Sequence, residues 1–86
     1  MTKHQAWREA HQRWSSRGDF GSHAQVCLRT KKFVNRCMVG YWLWKDAARK
    51  TCDPLLIGEG PTWEDAFASA DDREKQGLPP LRMGFL

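Results

Sequence analysis

The chain has no apolar run long enough to cross a membrane: the longest, Cys37 to Trp44, falls far short of the roughly 20 residues a spanning helix needs. Met1 to Trp7 contains no apolar leader, so a cytoplasmic protein without membrane contact is expected. Cysteine is scarce and odd in number. Cys27, Cys37 and Cys52 stand ten and fifteen residues apart, which suits reduced thiols better than a disulfide framework. With His23 they make up four zinc-ligating side chains, but no Cys-x₂₋₄-Cys or His-x₃₋₅-His pair is present to pin the tight turn such sites use. His4 and His11, seven apart, fit the flank of a helix.

Catalytic apparatus is equally thin. There is no Gly-x-Ser-x-Gly turn, and no cysteine stands beside a histidine. Gly58-Glu59-Gly60 lacks the lysine and third glycine of a phosphate loop, and Glu59 repels phosphate, so the triplet reads as a turn leading into a helix. Asp71, Asp72 and Glu74 read as a solvated helix face rather than a phosphoryl-transfer cluster. Neither enzymatic activity nor a metal or other cofactor is expected. Internal repeats and low-complexity tracts are also missing.

Acidic residues are rare in one half only. Residues 1–50 hold 11 Lys/Arg against 3 Asp/Glu, whereas residues 51–86 hold 3 against 7, so a net charge of +4 conceals a dipolar chain. A one-sided basic field favours an anionic partner by concentrating it locally and speeding encounter. Hydrophobic residues make up 41% of the chain, with five Trp, too rich for disorder, although 28% charge keeps the mean hydropathy at −0.70. At 86 residues the core of a single domain is small, and pairing with a second copy is one way to stabilise it, so a homodimer is among the expected partners.

The local patterns predict a small α+β domain spanning residues 1–86. An N-terminal helix is expected over 3–17, opened by a Thr2/Gln5 capping box, closed at Gly18, and burying a stripe of Trp7, Ala10 and Trp14. Three antiparallel strands are expected at about 24–30, 33–44 and 52–58, the first two forming a hairpin that reverses near Thr30-Lys31-Lys32. The second strand carries apolar residues on both faces and is therefore central. Pro54 suits an edge or a strand start. A second helix over 63–76 is capped by Thr62 and Gly77, and Trp63, Ala66, Phe67 and Ala70 form its buried stripe. The apolar tail, 77–86, either docks on the domain or reaches a partner. The expected core comprises Trp7, Trp14, Val39, Tyr41, Leu43, Ile57, Trp63, Phe67 and Ala70.

The candidate binding residues are Arg29, Lys31, Lys32, Arg36, Trp42, Trp44, Lys45, Arg49 and Lys50. Arg36, Trp42 and Trp44 share parity on the second strand and so project from one sheet face, with the remaining cations placed beside it as a single patch. Cations neutralise phosphates, and exposed indoles stack on bases or fill a protein pocket.

From Tyr41 to Glu74, the order of strand, polar turn, Leu-Ile-Gly strand and Thr-capped Ala-rich helix resembles the sheet-then-helix pattern of plant ethylene-response DNA-binding domains and phage integrase arm-binding domains. The likeness covers about 40% of the chain and is one of architecture. It implies an Arg- and Trp-bearing sheet set against a nucleic-acid groove. The chain departs from that pattern in its Trp-rich N-terminal helix and its few basic residues in the last strand. The expected function is non-enzymatic: a basic, Trp-containing sheet and hairpin face contacts nucleic acid or an acidic surface of a protein or nucleoprotein assembly. The alternative is a compact inhibitor or adaptor of the kind phages encode, occluding a protein through exposed aromatics and the C-terminal tail.

Overall fold

The computed structural model describes residues 1–31 and 34–82, so Lys32, Phe33 and the last four residues lie outside the account that follows. Helix α1, Lys3–Trp14, begins where expected: the Thr2 hydroxyl accepts from the Gln5 amide at 3.1 Å, while the Gln5 side chain accepts from the Thr2 amide at 2.8 Å. It ends three residues earlier than predicted. Ser16 takes a left-handed conformation, and Ser22 occupies the end of the helix, its hydroxyl donating to the Trp14 carbonyl and accepting from the Arg17 amide at 2.8 Å. A side chain eight residues away from Trp14 thus satisfies a helix-end carbonyl that one more turn would otherwise have bonded.

Three long strands follow as an antiparallel meander, β1 (Ser22–Lys31), β2 (Val34–Trp44) and β3 (Cys52–Gly60), with β2 in the middle. Helix α2, Trp63–Lys75, is capped by the Thr62 hydroxyl, which accepts from the Asp65 amide at 3.1 Å. The sheet has one strand more than expected. Leu81 and Arg82 form a two-residue β4 on the free edge of β3, so this part of the tail docks on its own domain; Pro54 lies beyond the two β3 residues that β4 covers.

Both helices lie on one side of the sheet, α1 mainly over β1 and α2 mainly over β3. Cys37, Val39 and Tyr41 of β2 are buried against them, together with Ala24 and Ile57 from the flanking strands. Trp14, Trp63, Phe67 and Ala70 complete this core as expected, with Leu43 packed at its margin. Trp7 does not join it. The buried stripe of α1 is Ala6, Ala10 and Trp14, spaced at i, i+4 and i+8, and the small alanines let the helix sit close to the sheet. Trp7 is 36% exposed and stacks on the outer flank between His4 and His11, its ring centroid 6.5 and 5.2 Å from theirs.

Gly58-Glu59-Gly60 is extended strand, not a turn. A Cβ on Gly58 would stand 2.2 Å from the Ala66 carbonyl oxygen and 2.6 Å from the Ala70 amide nitrogen, so the glycine is there because the α2 backbone rests directly on β3. Cys37 fills core space, and burial, reinforced by Glu64, pushes its thiol pKa up. All three cysteines are free thiols. Among the described residues there is no cluster of metal-ligating side chains and no helix long and apolar enough to cross a membrane.

Candidate nucleic-acid interface

Because the odd-numbered residues of β2 face the helices, the even-numbered ones, Arg36, Met38, Trp42 and Trp44, stand on the opposite face. Register carries this face across the sheet. His23, Gln25, Cys27 and Arg29 share it from β1, and Pro54, Leu56 and Glu59 from β3. No helix covers it among the described residues. Its middle is nonetheless consolidated by a second small apolar cluster in which Met38 and Leu56 are buried with Cys27 packed against them.

Trp42 is 40% exposed on this platform, and its indole N–H donates to the Gln25 side-chain oxygen. Gln25 pairs in register with Gly40, which offers no side chain, so the amide reaches diagonally to the neighbouring indole. This bond orients the ring on the sheet. At the other end of the face Arg29 and Arg36 are direct register partners. The Glu59 carboxylate, 3.7 Å from the Arg36 guanidinium, supplies a partly exposed counter-charge to this pair. From Arg36 to Trp42 the strand rises about 20 Å.

The nine predicted residues do not form one patch. Lys31 closes β1 at the hairpin end and Lys32 lies outside the described residues, whereas Arg49 and Lys50 belong to the β2–β3 turn, the full length of β2 away, about 33 Å. That turn is organised around Asp46, which accepts from the Thr51 amide at 2.9 Å, the Thr51 hydroxyl at 3.0 Å and the Lys50 amide. These bonds, the Thr51 amide first, hold the Asp46 carboxyl below the usual carboxylate range. Arg49 has its side chain near Gly21 at the entrance to β1. Lys45 lies on the helix side, 3.5 Å from Asp53, whose register partner Leu43 packs on the core. Arg29, Arg36, Trp42 and Trp44 are the four that the fold brings to one surface.

Gln25 was not anticipated. Finding it requires the β1–β2 register, which depends on the two residues between Lys31 and Val34, and Lys32-Phe33 carries none of the Asn-Gly or Asp-Gly chemistry that marks a two-residue turn.

The helix side is electrostatically different. Helix α2 bears Glu64, Asp65, Asp71, Asp72 and Glu74, and these draw in cations of the basic half. The N-terminal amine lies 2.8 Å from Glu64, Arg13 bridges Glu9 and Asp71, and Arg17 lies 3.8 Å from Glu74. The amine's hydrogen bond holds the Glu64 carboxyl below its ordinary pKa. The helix side is mixed in charge, with Lys3 and Arg8 exposed on α1 and Arg73 and Lys75 in the last turn of α2, whereas the helix-free face presents two arginines, two tryptophans and one glutamate.

Comparison with protein-family models, with curated proteins and with solved structures finds no match to this chain.

Proposed function

We propose that the protein is a non-enzymatic nucleic-acid-binding module whose contact surface is the helix-free face of the sheet. The observation that carries this reading is the coexistence, on one pre-formed platform, of the Arg29/Arg36 cross-strand pair and the partly exposed, Gln25-held Trp42. Two guanidinium groups side by side suit phosphate oxygens that lie between or beside them, each donating charge-assisted hydrogen bonds. Lys50, in the turn organised by Asp46, adds positive charge at the C-terminal end of β2.

The rival occupant of the same face is a protein that buries Trp42 together with Leu81, which is 50% exposed beside Leu56 on β4. Salt separates the two. Phosphate binding weakens steeply with salt because bound counterions are released on association, while an apolar protein interface is much less sensitive. In fluorescence-anisotropy titrations of labelled oligonucleotides across a range of salt concentrations, the log–log slope is expected to flatten by about two units in the Arg29→Gln/Arg36→Gln double variant, one per lost phosphate contact. Absence of oligonucleotide binding at low salt contradicts the proposal and favours the protein partner.

A further inference from the structure

Granting that the helix-free face binds nucleic acid, we infer that its ligand is a single strand, with an unpaired base stacked on Trp42 and the backbone running along β2 to the Arg29/Arg36 pair. The face is a sheet surface with a partly exposed indole in it, and the ring is already oriented by Gln25. A base inside a duplex has both faces covered by its neighbours and can reach such a ring only if it is first unstacked, whereas every base of a single strand has a π-face to offer.

The alternative, reading base edges in a duplex, needs an element that enters a groove: a helix or a two-stranded ribbon for the major groove. Here both helices lie on the far side of the sheet, and the β1–β2 ribbon is not free to enter a groove along most of its length because β3 pairs with β2 from Cys37 to Trp44. The centre of the helix-free face is Met38, Leu56 and Cys27, side chains without hydrogen-bonding reach toward base edges.

Dimensions agree with a short single-stranded site. The span of about 20 Å from Trp42 to Arg36 accommodates about six nucleotides at a stacked rise of 3.4 Å, and fewer if the strand is stretched. Stacking at one end with phosphate contact at the other is the division of labour found in single-strand-binding grooves, which are tolerant of sequence. A preference for one base over another is therefore expected to be small.

The test uses the full chain with three probes of one sequence, each about 12 nucleotides long and within the site sizes such platforms occupy: single-stranded DNA, single-stranded RNA and the DNA duplex. At low salt both single strands are expected to bind at least about tenfold more tightly than the duplex. Trp42→Ala is expected to weaken single-strand binding about 5- to 150-fold while Trp42→Phe, which keeps a stacking ring, stays within about threefold of the unaltered protein. Circular dichroism and a urea midpoint establish that both variants are folded, and the comparison of strand forms stands without them. Duplex binding equal to or tighter than single-strand binding overturns the inference while leaving the broader proposal in place. So does a Trp42→Ala variant that is folded and binds single strands undiminished. Failure of all three probes to bind removes both.

Discussion

Trp14→Ala is expected to cost about 3–5 kcal/mol, a large share of the roughly 4–13 kcal/mol that a domain of this length holds in total. Trp14 is almost wholly buried at the junction of α1, β2 and α2, stacked on the Phe67 ring at 6.0 Å and tilted against that of Tyr41 at 6.4 Å. Its indole N–H donates to Glu74 at 2.8 Å and its carbonyl accepts from Ser22, so the residue also ties both helix ends and the start of β1 together. Truncation leaves a cavity in a small core that has little else with which to fill it. Trp14→Phe, which keeps a ring but gives up the bond to a partly exposed carboxylate, is expected to lose only about 1–2 kcal/mol beyond its smaller size. Urea denaturation distinguishes the two. A loss below about 1 kcal/mol for the alanine variant contradicts the packing described here.

Gly58→Ala is expected to destabilise by about 3 kcal/mol or more, although it adds a single methyl group. The atoms that methyl meets are the Ala66 carbonyl and the Ala70 backbone, which cannot rotate away as a side chain can, so α2 must lift from the sheet. Gly77→Ala is the control. Nothing lies within 4 Å of its added Cβ, and its cost, about 1–2 kcal/mol, comes only from holding a left-handed backbone. A Gly58→Ala variant as stable as the unaltered protein shows that α2 packs less closely than described.

The elements themselves were legible because local chemistry and tertiary demand agree in them. Thr2 with Gln5, and Thr62 with the Trp63, Ala66, Phe67, Ala70 repeat, announce the two helices in the sequence, and both caps form as read. The centrality of β2 followed from apolar residues on both of its faces, one packed on the helices and the other forming the Met38–Leu56 cluster. Trp7 shares helical spacing with Ala10 and Trp14, which is why the sequence points to it as core, but the buried stripe is centred on Ala6 and Ala10 instead. The helix turns its alanines inward to approach the sheet, and a large side chain next to that stripe has room only outside.

The candidate site was legible along β2 and not across it. Parity alone placed Arg36, Trp42 and Trp44 on a common face, but which lysines accompany them depends on where each turn falls, and turns at the two ends of an 11-residue strand cannot share a patch. Lys45, grouped with these cations by its place in the polar turn, has the odd parity of Tyr41 and Leu43 and lies with them on the helix side, beside Asp53. Gly58 carried a turn-like signal for a reason visible only once α2 is docked.

The five indole N–H resonances offer the most direct test of the helix-free face as the binding surface, each assigned by the loss of one signal in a Trp→Phe variant. Trp42 and Trp44 stand on that face, Trp14 and Trp63 are in the core, and Trp7 lies on the outer flank of α1. On titration with a short single-stranded oligonucleotide at low salt, the Trp42 and Trp44 signals are expected to move together while the other three stay in place. Movement of the Trp7 signal with Trp42 and Trp44 unchanged would put the ligand on the helix side and contradict the account.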